Sequence, residues 1–196
     1  LARSGTTQVR ISYGYDIDKN SDLVIGADFV RDRINDLDRL TLEAIYSRQI
    51  NKRLRGDIGL EYRHDQNGAT TEAGTAIILG AHWTPLGRDN TVIEAELRQP
   101  LIIGGDQPTE LTLGLYREAA PGWRVFNEVE LQFGDDIVMP RSTLGFTFQM
   151  NKWLSGRTEF SRGANETDTT LNQGLSAQFK LNSLTTLNMG IEHSRL

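Results

Sequence analysis

The 196-residue sequence predicts an all-β fold, an antiparallel up-and-down transmembrane β-barrel of about twelve strands. Three observations support this prediction. Apolar and polar residues alternate with a period of two along most of the chain, tight turns alternate with longer polar links, and all three tryptophans fall near tight turns. A strand with one apolar and one polar face suits a barrel wall that separates lipid from water.

The alternation is visible in each predicted strand. In the first, Val9 and Ile11 flank Arg10, and in the segment 54–63 charged residues occupy every second position. A helical period of 3.6 would instead scatter those charges around a cylinder. Ile45 is the one residue that breaks the pattern in the third strand. In chain order, the strands are predicted at about 9–17, 23–29, 40–47, 54–63, 72–84, 90–99, 109–118, 123–133, 142–150, 153–162, 169–181 and 184–195.

The connections between these strands differ in length. We call the two ends of the predicted barrel the tight-turn rim and the long-loop rim, because short turns at one end and long loops at the other are typical of membrane barrels. Tight turns, which carry residues favoured in turns, are predicted near 19–20, 51–52, 86–88, 121–122, 151–152 and 182–183. Longer polar links are predicted at 31–38, 65–71, 100–108, 134–141 and 163–168.

The tryptophans provide the third observation. Trp83, Trp123 and Trp153 all lie within a few residues of tight turns, so they would occupy the tight-turn rim. Tryptophan favours the headgroup level of a bilayer, where its ring is buried and its N–H stays wet, and we interpret the three as a membrane-interface girdle. Tyr62 and Tyr116 are candidates for the opposite girdle. The alternative is a soluble β-sandwich in which the tryptophans cap the core.

Composition argues against several other classes. The chain has no cysteine, which rules out disulfides, thiolate metal ligands and cysteine nucleophiles. A net charge of -5 and a pI near 5.3 predict no nucleic-acid partner, since nucleic-acid binding needs clustered lysine and arginine. No apolar run approaches the roughly 18 residues of a transmembrane helix. A mean hydropathy of -0.42 is compatible with barrel strands, which show lipid only every second residue.

The polar faces of the strands carry interleaved charges of both signs. In one interpretation they line a hydrated lumen and bias which solutes pass. In the other they pair across strands and fill a narrow barrel. Twelve strands lie between a filled barrel of about eight and an open one of about sixteen. The predicted lumen-lining residues are Arg10, Asp28, Glu43, Arg55, Asp57, Glu61, Arg63, Glu94, Glu96, Arg98, Glu128, Glu130, Arg157, Glu159 and Lys180.

The sequence predicts no enzyme, no cofactor and no metal site. Alternating carboxylates are the ordinary pattern of a water-facing strand, so they do not indicate acid–base catalysis. His82 shares the polar face, whereas His64 and His193 fall towards the long-loop rim, so the histidines form no catalytic constellation. No carboxylate group has the spacing of a calcium loop.

Together these patterns resemble bacterial outer-membrane β-barrel proteins over nearly the whole chain. The resemblance is carried by the segments 54–63, 143–150 and 171–181. It implies a location in the Gram-negative outer membrane, contact with outer-membrane lipid, and a channel or pore scaffold for small polar solutes or a partner component. The alternative function is a structural anchor or translocator for an attached extracellular or periplasmic domain.

Two features differ from this class. Residues 192–196 lack the closing aromatic of many such barrels, and both chain ends are predicted at the long-loop rim. Residues 1–5 also lack the apolar core of a signal peptide. We therefore expect residues 1–196 to form one barrel domain, incomplete at one or both ends, with additional strands, a plug or an attached domain as partners.

Overall fold

The computed structural model describes residues 4–33, 36–88, 90–101, 108–133, 138–163, 169–181 and 185–195. Within these ranges the chain contains no helix long and apolar enough to cross a membrane. The twelve strands are β1 (Ser4–Asp18), β2 (Ser21–Asp32), β3 (Leu37–Asn51), β4 (Leu54–Asn67), β5 (Thr70–Trp83), β6 (Thr91–Pro100), β7 (Thr109–Ala120), β8 (Trp123–Phe133), β9 (Val138–Gln149), β10 (Leu154–Gly163), β11 (Thr170–Lys180) and β12 (Thr185–Arg195).

The strands form a closed ring. Each strand pairs antiparallel with its neighbours in the chain, and β1 pairs with β12, from Ser4 opposite Arg195 to Tyr15 opposite Thr185. The prediction of an antiparallel up-and-down barrel of about twelve strands is confirmed. These twelve strands close without a further one, because the edges of β1 and β12 satisfy each other's backbone hydrogen bonds.

Four connections differ from their predicted lengths: the links β2–β3 and β8–β9 cover 33–36 and 134–137, about half the predicted length, and two others reverse their predicted type. Residues 68 and 69 alone connect β4 to β5, where a long link was predicted at 65–71. The hairpin closes because Gly68 has a φ of 55°, a left-handed conformation that glycine adopts without steric cost. Conversely, the link between β5 and β6 covers residues 84–90, around the predicted tight turn. Link length therefore separates the two rims less cleanly than the sequence predicts.

The register of the strands divides the wall into two faces. Ile58, Leu60 and Tyr62 on β4 share one face and are 41 to 59% exposed. The other face carries charged side chains, some of which pair between strands that are not neighbours, such as Arg98 on β6 with Glu61 on β4. Side chains of non-adjacent strands meet only on the concave side of a curved sheet. The charged face is therefore the inner face, and the exposed apolar face is the outer one.

A small apolar patch interrupts the charged inner face. Ile45, the residue that breaks the alternation of β3, points inwards and packs against Gly59 on β4. A Cβ at position 59 would lie 2.9 Å from a side-chain carbon of Ile45 and 2.9 Å from the carbonyl oxygen of Ala44. Ala76 and Ile78 on β5 also face inwards and are buried. These residues fill the space that the neighbouring charged groups leave.

Candidate functional site

The inner face of the barrel is the candidate functional site. Inward residues occupy alternate positions of each strand, opposite inward residues of the adjacent strands, so the register fixes their orientation. The structure places all the predicted lumen-lining residues there: Arg10, Asp28, Glu43, Arg55, Asp57, Glu61, Arg63, Glu94, Glu96, Arg98, Glu128, Glu130, Arg157, Glu159 and Lys180.

Arg98 lies at the centre of a buried ion-pair cluster. Its guanidinium donates hydrogen bonds to one carboxylate oxygen of Glu61, with the Nε atom at 2.9 Å, and its Nη1 atom lies 3.9 Å from a carboxylate oxygen of Glu110. The side chain of Arg98 is 7% exposed. A charge so far removed from water needs compensating partners, and two carboxylates supply them.

A second cluster runs along the inner face near the tight-turn rim. Arg55 donates to Asp22 at 3.1 Å and to Asp57 at 3.3 Å. His82 contacts Asp57 through its Nε2 atom, and its Nδ1 atom lies 3.1 Å from Glu94. Both ring nitrogens face carboxylates, so both donate and the ring is an imidazolium. This arrangement leaves neither nitrogen free to activate a serine.

A third cluster combines charges with aromatic rings. Arg157 on β10 contacts Glu159 on its own strand and lies 3.7 Å from Glu128 on β8. Its guanidinium carbon also sits 4.3 Å above the centroid of the Phe126 ring, a cation–π contact. Tyr116 stacks on Phe126 with the centroids 5.8 Å apart, and its hydroxyl donates to Glu128. The aromatic rings thus cover part of the inner wall.

The position of Tyr116 corrects a prediction. It was a candidate for a girdle at the long-loop rim, but it faces inwards and lies nearer the tight-turn end of β7. Its ring lies over Gly114, where a Cβ would come within 2.5 Å of the ring edge. Its hydroxyl donates to Glu128 on the inner face, so it does not point to the headgroup region. Tyr62, in contrast, lies on the outer face.

Two further groups of ion pairs lie on the inner face. Arg10 on β1 donates to Asp28 on β2 at 2.9 Å. Asp65 on β4 accepts from Arg39 at 2.9 Å and from Arg63 on its own strand. The ion pairs predicted for a narrow, filled barrel are therefore present.

The lumen nevertheless retains accessible space. The side chains of Arg10, Arg55 and Arg157 are 61, 39 and 38% exposed, although all three point inwards. Water can therefore reach the inner face between the ion pairs. The same residues combine charge pairing with contact to a hydrated lumen.

Three inner carboxylates have no direct partner among the described residues. Glu43, Glu96 and Glu192 form no hydrogen bond or ion pair with any residue that the structure describes. The arginines that act on Glu43 and Glu192 are Arg10 and Arg157, and both already pair with other carboxylates. The inner face therefore carries an excess of negative charge.

Sequence reasoning missed several inner residues. Asp22 and Glu110 lie near the ends of their strands, and extending the alternation by one residue from Leu23 or Leu111 would have assigned them to the inner face. The alternation does not predict an inward position for Phe126, because an apolar residue at a polar position interrupts the pattern.

The outer face carries an aromatic belt at the tight-turn rim. Trp83, Trp123 and Trp153 lie there and are 47 to 51% exposed. Trp123 stacks on Phe148 with centroids 5.3 Å apart, and Trp153 stacks on Phe179 at 6.3 Å. The belt therefore includes phenylalanines as well as the tryptophans. The sequence pattern does not predict them, because phenylalanine is common along the whole lipid-facing surface of a barrel.

A bilayer provides a direct test of this belt. In a variant that retains Trp153 but carries Trp83→Phe and Trp123→Phe, we expect tryptophan emission to be quenched more by lipids brominated near the headgroup than by lipids brominated near the chain ends. Quenching that is equal for both lipids, or absent, would contradict an interfacial position. Unbrominated vesicles serve as the control.

A closed ring of antiparallel strands with an exposed apolar outer face, an aromatic belt and a charged lumen defines the fold class as a membrane β-barrel. The sequence matches no protein-family profile and no curated protein.

Solved structures of a porin, a FadL homologue and a toluene transporter share this fold. The KdgM porin has a TM-score of 0.60 at 10% identity, covering 94% of this chain and 98% of that chain. A FadL homologue of Pseudomonas aeruginosa has a TM-score of 0.58 at 6% identity, covering 98 and 90%. The toluene transporter TodX of Pseudomonas putida has a TM-score of 0.55 at 10% identity, covering 99 and 90%. The resemblance to bacterial outer-membrane β-barrel proteins is thus confirmed at the level of the fold.

Proposed function

We propose that this protein is a bacterial outer-membrane channel for small polar solutes. The observation that carries the proposal is a charged, partly exposed inner face enclosed by a ring whose outer face is apolar. Lipid accounts for the outer face, but a barrel that served only as an anchor would not need a water-accessible lumen. Structural similarity to the KdgM porin supports a channel role.

The chemistry of the lumen favours polar solutes over apolar ones. TodX is a toluene transporter, and a passage for hydrocarbons needs a continuous apolar lining. In this protein the described inner apolar side chains form isolated patches, such as Ile45 with Ile78, between charged clusters. A hydrocarbon would lose contact with apolar surface between these patches, whereas a hydrated solute would meet hydrogen-bonding groups throughout.

Conductance in a planar bilayer tests the proposal. We expect the folded protein to produce discrete, stepwise current increments in salt solution. Folding is verified first by gel mobility that shifts on heating, as is typical of closed barrels. A folded barrel that leaves the bilayer silent would contradict the channel and favour the structural anchor. Heat-unfolded protein at the same detergent concentration is the control.

A further inference from the structure

The glycines of the inner face fall into two groups. At Gly59 and Gly145 a Cβ would come within 2.7 to 2.9 Å of a backbone carbonyl oxygen of the neighbouring strand, so packing explains the missing side chain. At Gly14, Gly174 and Gly190 the nearest atoms would be 3.5 to 3.8 Å away, which is ordinary van der Waals contact. None of these three has a positive φ. Neither packing nor backbone conformation therefore accounts for glycine at these positions.

These three glycines lie on adjacent strands and leave open space. They belong to β11, β12 and β1, together with short polar side chains. We call this surface the glycine wall: Ser12, Gly14, Gly174, Ser176, Asn188 and Gly190. A cavity of about 180 Å³ lies over Gly174, Ser176 and Gly190 of this wall and is bordered by Arg10, Arg157 and Glu192.

The opposite wall carries larger groups. Tyr116 and Phe126 stack on the inner face of β7 and β8, and the nearly buried Arg98 extends from β6 between two carboxylates. These side chains are held by their contacts. Among the residues that the structure describes, the glycine wall therefore leaves more room in the lumen than this opposite wall.

The summed charge around this cavity is negative, because the two guanidiniums that border it pair with the carboxylates of Asp28, Glu128 and Glu159, and Glu192 adds a fourth carboxylate. Arg10 is bound to Asp28, and Arg157 is held by two glutamates. Glu192 has no ion-pair partner among the residues that the structure describes. The charged groups that act on Glu192 are Glu159, Arg157, Arg10 and Asp28, so the two guanidiniums are already offset by carboxylates.

We propose that solutes cross the barrel along the glycine wall and that this path prefers small cations, including amine-bearing solutes, with Glu192 setting the preference. The proposal rests on the channel function above. An unpaired carboxylate in a narrow, low-dielectric passage attracts a counter-ion, as acidic rings do in cation channels. The absence of side chains at Gly174 and Gly190 keeps the path beside it open.

The lack of native cysteine permits a direct test. Single variants Gly190→Cys and Gly14→Cys are reconstituted and treated with thiol reagents that carry a trimethylammonium or a sulfonate group. We expect modification to reduce the conductance, and the cationic reagent to react about tenfold faster. Thr112→Cys, which faces inwards from β7 on the opposite wall, is the matched control and should reduce the conductance less.

A second measurement tests the role of Glu192. In a salt gradient, the reversal potential of the unmodified channel should indicate cation preference, and Glu192→Gln should reduce it. Asp38→Asn removes the same charge on the outer face, where Asp38 pairs with Arg31, and should leave the potential unchanged. Faster reaction of the anionic reagent, or a larger conductance change at Thr112→Cys than at both glycine positions, would overturn this inference alone. A folded protein without any conductance would overturn the channel function as well.

Discussion

The variant Arg98→Ala is expected to lower the free energy of unfolding of the barrel by about 3 to 5 kcal/mol. Arg98 is 7% exposed on its side chain and lies between Glu61 and Glu110. Its removal leaves two carboxylates close together in a low-dielectric wall without the cation that offsets them. The loss is measured by urea unfolding from lipid vesicles, followed by tryptophan emission.

An exposed ion pair provides the control for Arg98. Arg31 makes two hydrogen bonds of 2.8 Å to Asp38, but the two side chains are 53 and 35% exposed. Arg31→Ala should therefore cost much less stability than Arg98→Ala, because water screens the exposed pair. If the two variants lose equal stability, burial does not control the strength of these pairs. The double variant Arg98→Met with Glu61→Met should recover part of the loss, because it removes one of the stranded charges.

The variant Gly145→Ala is expected to destabilise the barrel by about 2 kcal/mol or more, because it overpacks a closed site. A Cβ at this position would lie 2.5 Å from the ring of Phe126, 2.7 Å from the carbonyl oxygen of Thr158 and 2.8 Å from the Cβ of Glu159. A ring can rotate away, but a backbone carbonyl in a strand pair cannot move without breaking the ladder. The same unfolding measurement applies.

Gly14→Ala is the matched control for Gly145→Ala. It is also an inward glycine in a strand, but its nearest atom would be 3.8 Å away. We expect its stability to change by less than about 0.5 kcal/mol. Comparable losses for the two variants would contradict overpacking as the cause, because Gly14→Ala meets no close atom and alanine in the unfolded chain favours folding.

The sequence predicts most of the fold because a period of two is a local property. Alternation around Arg55, Asp57 and Glu61 is enough to assign all three to one face, and the register places them there. The same rule fails for Tyr116, since a tyrosine with a polar tip is compatible with either face. Closure by β1 and β12 is likewise beyond local patterns, because it joins segments from the two ends of the chain.

Partners across the lumen could not be predicted from the sequence. In the strand register, Glu61 on β4 lies opposite Ala76 on β5, and Ala76 lies opposite Pro100 on β6. The side chain of Glu61 nevertheless pairs with Arg98, two residues before Pro100. The offset of two residues reflects the tilt of the strands in the barrel. Tilt and shear are global quantities that alternation does not encode, so the sequence predicts the lining but not its pairing.

The ion pairs that skip a strand have a mechanical consequence. Arg55 connects β4 to β2, Arg98 connects β6 to β4, and Arg157 connects β10 to β8, each passing over the strand between. Each of these ion pairs holds two strands at a fixed distance across the strand between them, so it fixes the local curvature of the wall. Lateral pressure from lipid tends to flatten a thin-walled cylinder into an ellipse. Flattening would change the distances between the paired side chains and so weaken these ion pairs. The bore of the barrel is therefore braced from within by the same side chains that line it.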